Sequence, residues 1–170
     1  MREVLARWNS AEREEAVREI MSCCGSTAWA GKMAGRRPFS EERTLLVASD
    51  RVWFGLPEAD WLEAFRSHPR IGERPIVASA APRSAEWSNH EQSHAAGAED
   101  QIKLALSEGN RAYEQKFGHI FIVCAMGKSA PEILEILRRR MHNEGGAELR
   151  EAAEQQRQIT QLRLKKWLGV

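Results

Sequence analysis

Gly118-His119-Ile120-Phe121-Ile122-Val123-Cys124-Ala125-Met126-Gly127 is the stretch on which the fold class turns. Ile120 to Met126 is an unbroken apolar run between glycines, and alone it reads as a strand. At that length, periodicity does not separate a buried strand from a buried helix segment. A sheet needs partner strands, and the flanks offer helices instead. Upstream, Ala98 to Phe117 carries Ile102, Leu104, Ala105, Leu106 and Tyr113 in a helical pattern, with Gly109 as its weak point. Downstream, Ser129-Ala130-Pro131-Glu132 is a capping box with proline in the first turn, opening a helix to about His142. Asn143 to Gly146 is a turn, and a last helix runs to Leu168.

The rest of the chain repeats this pattern. Val17, Ile20, Met21 and Cys24 predict a helix over Ala11 to Cys24, with Asn9 and Glu12 as its capping box and Gly25 as its stop. Ser26 to Ala34 reads as a short helix. Ser40 caps a third helix, which holds Leu45, Leu46 and Val47. Pro57 starts a fourth, through Trp61, Leu62 and Phe65. That helix ends near His68, because the residue before Pro69 is driven out of the helical region. Arg70 to Pro82, with Gly72 and Pro75, is a loop, and Ser84 or Ser88 opens a helix through Ala96. The expectation is an all-α fold: one domain over residues 1–170, a bundle of about seven to eight helices with one extended piece at most.

Composition narrows the function. The 170 residues carry 25 Lys+Arg and 24 Asp+Glu, a net charge of +1, without the basic excess of a nucleic-acid-coating protein. No apolar run approaches the ~20 residues of a membrane-spanning helix, and Met1-Arg2-Glu3 opens a charged stretch rather than a signal core. These features lead us to expect a soluble cytoplasmic protein with no nucleic-acid or membrane partner. Cys23, Cys24 and Cys124 are an odd count with no C-x-x-C pair, which fits buried thiols in a reducing compartment better than a nucleophile.

Two residues look out of place. Ile159, Arg163 and Trp167 are four apart and share a helix face, so Arg163 points inward between core positions. A buried guanidinium needs an anion: an internal carboxylate, or a substrate that its planar fork matches. His68 sits at a helix end before Pro69-Arg70-Ile71-Gly72. A histidine held at such a corner suits acid–base work, although a lone histidine is more often structural.

His90-Glu91-Gln92-Ser93-His94 matches H-E-x-x-H, in which two histidines share a zinc ion and the glutamate is general base. With only three fixed positions, chance matches are common. The sheet that usually covers such a site is missing from the pattern. A solvated helix face is the preferred reading, and a zinc metallohydrolase using His90, Glu91 and His94 is the alternative.

These residues fall together in an order that resembles the 2-oxo-4-hydroxy-4-carboxy-5-ureidoimidazoline (OHCU) decarboxylases. The strings are Cys23-Cys24-Gly25-Ser26 with Trp29-Ala30, Arg37-Pro38-Phe39, and Asp60-Trp61-Leu62-Glu63-Ala64-Phe65 leading into His68-Pro69-Arg70-Ile71-Gly72. Ser88-Asn89-His90-Glu91-Gln92, Asn110, Tyr113, Lys116-Phe117-Gly118, Phe121 to Ala125, and Ile159 with Arg163-Leu164 complete the series. One departure is the glycine after Glu91-Gln92, which His94-Ala95-Ala96-Gly97 shifts by one place. The resemblance implies a cofactor-free carboxy-lyase that makes (S)-allantoin in urate breakdown, usually a homodimer, with no metal. It implies His68 as catalytic acid/base and Glu91 as its catalytic partner. Pro69, Ser88, Asn89, His90, Gln92 and Arg163 would bind substrate, together with Phe121, Ile122, Val123, Cys124 and Ala125, whose backbone lines the pocket.

Overall fold

The structure, a computed structural model, describes residues 2–71 and 100–170. Among these residues there are eight helices and no strand. They are α1 (Arg2–Ser10), α2 (Arg13–Ile20), α3 (Thr27–Ala34), α4 (Glu42–Phe54), α5 (Glu58–Arg66), α6 (Asp100–Phe117), α7 (Ala130–Arg140) and α8 (Gly145–Leu168). The expected all-α fold is what forms. The loop from Gly72 to Pro82 and the helix through Ala96 fall outside the described residues.

The chain forms two compact units. One comprises residues 1–64 and 157–170, and the other residues 65–156. In the first, Trp8, Ile20, Trp29, Met33 and Leu45 are fully buried. Ser26 starts α3 by accepting a hydrogen bond from the Trp29 N–H at 3.2 Å, which satisfies one of the helix's free donors. Arg37 ties three carbonyls together, those of Trp8, Ala11 and Ala34.

Several boundaries in this unit differ from expectation; α2 ends at Ile20 with Met21 as its C-cap, short of Cys24 and Gly25. Asn9 does not cap α2 but ends up inside α1. Its carboxamide bonds both backbone groups of Phe39, at 2.8 and 3.0 Å, a long-range pairing that outcompetes the local cap. Glu12, not Asn9, precedes α2, and Glu41, not Ser40, precedes α4.

The second unit packs α6 and α7 around Leu106, Tyr113, Ile133, Leu134 and Leu137. The capping box expected at α7 forms, with Glu132 accepting from the Ser129 N–H at 2.7 Å. Gly109 is explained by packing: a Cβ there would lie 2.6 Å from Leu137 Cδ2. The glycine lets α6 approach α7, which outweighs its roughly 1 kcal/mol helix penalty.

Residues 120–125 are neither strand nor helix. Their side chains still alternate as a strand's do. Phe121, Val123 and Ala125 join the core cluster, whereas Ile122 and Cys124 do not. No second strand exists among the described residues, so the run's backbone finds other partners.

Candidate active site

The histidine corner is built on α6. After α5 ends, His68 N–H donates to the Phe65 carbonyl at 3.0 Å, closing a turn. The next two residues are then pinned. The Arg70 guanidinium makes a two-pronged contact with the Glu114 carboxylate, Nη2 to Oε2 at 2.8 Å. Asn110 Nδ2 donates to the Ile71 carbonyl at 2.9 Å. Asn110 and Glu114 are one helical turn apart and therefore share a face. The Arg70 hydrogen bond holds the Glu114 carboxyl below its ordinary range. Arg70 and Glu114 are partly exposed, so their pair contributes at most about 1 kcal/mol. Its effect is to hold the His68 corner in one geometry.

The Phe121 to Ala125 run is held by side chains. Arg140 Nη1 donates to the Ile122 carbonyl at 2.6 Å. The Cys124 N–H donates to Gln155 Oε1 at 2.9 Å, and Lys128 Nζ donates to the Cys124 carbonyl at 2.7 Å. Behind Ile122, Arg140 and Glu148 form an ion pair with both side chains fully buried. Glu148 also accepts from the Tyr113 hydroxyl and, at 2.7 Å, from Asn143 Nδ2. Burial holds the Tyr113 phenol above its ordinary value, and the Arg140 guanidinium lies 4.8 Å from the Phe121 ring centre.

Arg163 belongs to the first unit. As its spacing predicts, it is buried, 2% exposed between Ile159 and Trp167. Cys23 and Cys24 are also buried there, and burial pushes both thiols up to about 12, against the opposing pull of the Arg163 charge. All three cysteines are free and buried. At neutral pH Cys23 and Cys24 are thiols, as the buried-thiol reading expects, and not nucleophiles.

The structure thus places His68, Pro69 and Phe121 to Ala125 in one unit and Arg163 in the other. Glu91, Ser88, Asn89, His90, Gln92 and His94 lie outside the described residues. Among the described residues, no group of three His, Cys, Asp or Glu side chains is arranged to hold a metal ion. No described helix is long and apolar enough to cross a membrane.

Sequence reasoning missed Arg140, Glu148 and Gln155. Arg140 hides in the Arg138-Arg139-Arg140 triplet, which reads as a solvated helix end. The signal was present: Ile133, Leu137 and Arg140 fall on one face at helical spacing, the same pattern that exposed Arg163.

Comparison with known proteins bears on the whole chain. Residues 9–165 match the family model described as OHCU decarboxylase. The chain is 40% identical over 146 residues to the uric acid degradation bifunctional protein TTL of Arabidopsis thaliana, covering 85% of this chain but only 44% of that protein. It is 30% identical over 167 residues to the 2-oxo-4-hydroxy-4-carboxy-5-ureidoimidazoline decarboxylase of Amia calva, covering 92% of this chain and 90% of that one. A crystal structure of OHCU decarboxylase in the presence of (S)-allantoin superposes with a TM-score of 0.78 at 34% identity, over 94% of this chain and all of that one. With the family match running nearly from end to end, this chain belongs to the OHCU decarboxylase family.

Proposed function

We propose that this protein decarboxylates 2-oxo-4-hydroxy-4-carboxy-5-ureidoimidazoline to (S)-allantoin and carbon dioxide, as a step in urate degradation. The observation that carries this reading is the family match across residues 9–165. We further read the protein as a cytoplasmic homodimer.

The substrate supplies its own electron sink. One ring carbon bears the carboxylate and a hydroxyl, and its neighbour is doubly bonded to nitrogen. As carbon dioxide leaves, its bonding pair forms a carbon–carbon double bond, and the imine pair moves to nitrogen, which takes a proton. The hydroxyl then gives its proton to His68 as a carbonyl forms. A proton delivered to one face of the neighbouring carbon sets the S configuration, with Glu91 as its source in this reading. A buried guanidinium such as Arg163 is suited to a carboxylate or developing oxyanion. Donors aimed at developing charge each contribute about 3–4 kcal/mol.

The test is circular dichroism during turnover of substrate made in place by urate oxidase and the hydrolase that follows it, with and without a strong chelator. Rapid appearance of (S)-allantoin, unchanged by chelator, is the expected result. A signal no faster than spontaneous racemic decay would overturn the reading.

A further inference from the structure

The 121–125 run has two edges, and the structure treats them differently. In a chain with strand-like alternation, the N–H and C=O of one residue point to one edge, and those of the next residue to the other. Among the described residues, the side chains that grip the run's backbone do so at Ile122 or Cys124: Arg140 on the Ile122 carbonyl, Gln155 on the Cys124 N–H, Lys128 on the Cys124 carbonyl. Among the described residues, none bonds to the N–H or C=O of Phe121 or Val123. Both are buried, at 3% and 5% exposure. Buried backbone groups seek partners, so a polar ligand lying along this edge would find a donor and an acceptor already aimed.

We infer that Gln155 is a positioning residue of the substrate pocket: by accepting the Cys124 N–H, it holds the even edge of the run so that the Phe121–Val123 edge faces the substrate. This rests on the decarboxylase reading, in which the run lines the pocket. Gln155 is a better handle than Arg140 because it is only half-buried and belongs to no buried ion pair. Outer residues that orient the groups contacting a ligand commonly affect function without touching the ligand themselves.

The inference separates two substitutions. Gln155→Leu keeps the side chain's bulk and removes the acceptor. Gln155→Glu keeps an oxygen where the Cys124 N–H needs one. Without the acceptor the run loses its register with the ligand before and during the reaction alike, so KM rises while kcat holds. One such hydrogen bond corresponds to about a tenfold change at most.

The experiment measures kcat, KM and thermal midpoint for wild type and both variants, with hydrogen exchange at the Cys124 amide as an independent readout. We expect Gln155→Leu to raise KM by about five- to tenfold with kcat little changed and faster Cys124 exchange. Gln155→Glu should restore KM to within about threefold of wild type and restore slow exchange. Arg140→Lys, assayed in the same way, should also raise KM, since it removes the grip on Ile122. An unchanged KM in Gln155→Leu, an equal loss in both Gln155 variants, or a loss explained by a lower folded fraction would each overturn the inference. A wild type that forms no (S)-allantoin overturns the decarboxylase reading and this inference together, whereas an active wild type with indifferent variants overturns the inference alone.

Discussion

His68→Asn folds with a normal thermal midpoint and loses turnover by more than about 10²-fold, because one positioned acid/base contributes roughly 10²–10⁴-fold. Asparagine keeps a polar side chain of similar reach but cannot take up a proton at neutral pH. Arg70–Glu114 and Asn110–Ile71 secure the residues that follow His68 whatever side chain stands there. The substitution therefore tests chemistry and not architecture. The measurement pairs dichroic turnover with a melting curve. Near-normal turnover in a well-folded variant would remove His68 from the reaction. A large loss of stability would mean that the histidine holds the corner itself.

The largest expected effect on stability lies at the Arg140–Glu148 pair. Glu148→Ala removes the nearer counter-ion of the buried Arg140 guanidinium beside Tyr113, leaving it the Glu151 carboxylate at 3.9 Å. Breaking a buried pair from one side costs about 3–5 kcal/mol, which for a chain of this size lowers the thermal midpoint by roughly 10 °C. Glu114→Ala, which breaks the partly exposed pair with Arg70, should cost less than about 1 kcal/mol. Replacing Arg140 and Glu148 together with apolar residues should recover much of the loss, because buried pairs are expensive to desolvate. Equal destabilisation by Glu148→Ala and Glu114→Ala would contradict the burial argument.

The difference between these two pairs also shows how far the sequence could be read. Helical spacing made the bundle legible, and it made Arg163 legible as an inward-pointing cation. The Ser129 capping box was legible because its parts are local. The capping of α2 was not, because Asn9 is claimed by Phe39, thirty residues away in sequence. Local propensity carries no information about such a competitor. The apolar run was ambiguous for a physical reason: its side chains have the period of a strand while its backbone partners are side chains, and no sequence period encodes those. At the candidate site, His68 and the run were singled out by family resemblance. Their supports were not, because Arg140 sits in a basic triplet and Gln155 on a long polar helix where neither stands out.

The run has a consequence for how the protein fails. Ile120 to Met126 is apolar, rich in β-branched residues, uncharged and free of proline, the makeup of segments that stack into amyloid-like zippers. In the folded chain its even edge is stopped by Arg140, Gln155 and Lys128, none of which can extend a ladder. By holding that edge, these three side chains deny it to an added strand as well as supporting the run. A synthetic peptide spanning residues 119–127 should form thioflavin-positive fibrils, and the same peptide with Val123→Lys should stay in solution. If the unmodified peptide remained monomeric at high concentration, this protective role would have nothing to guard against.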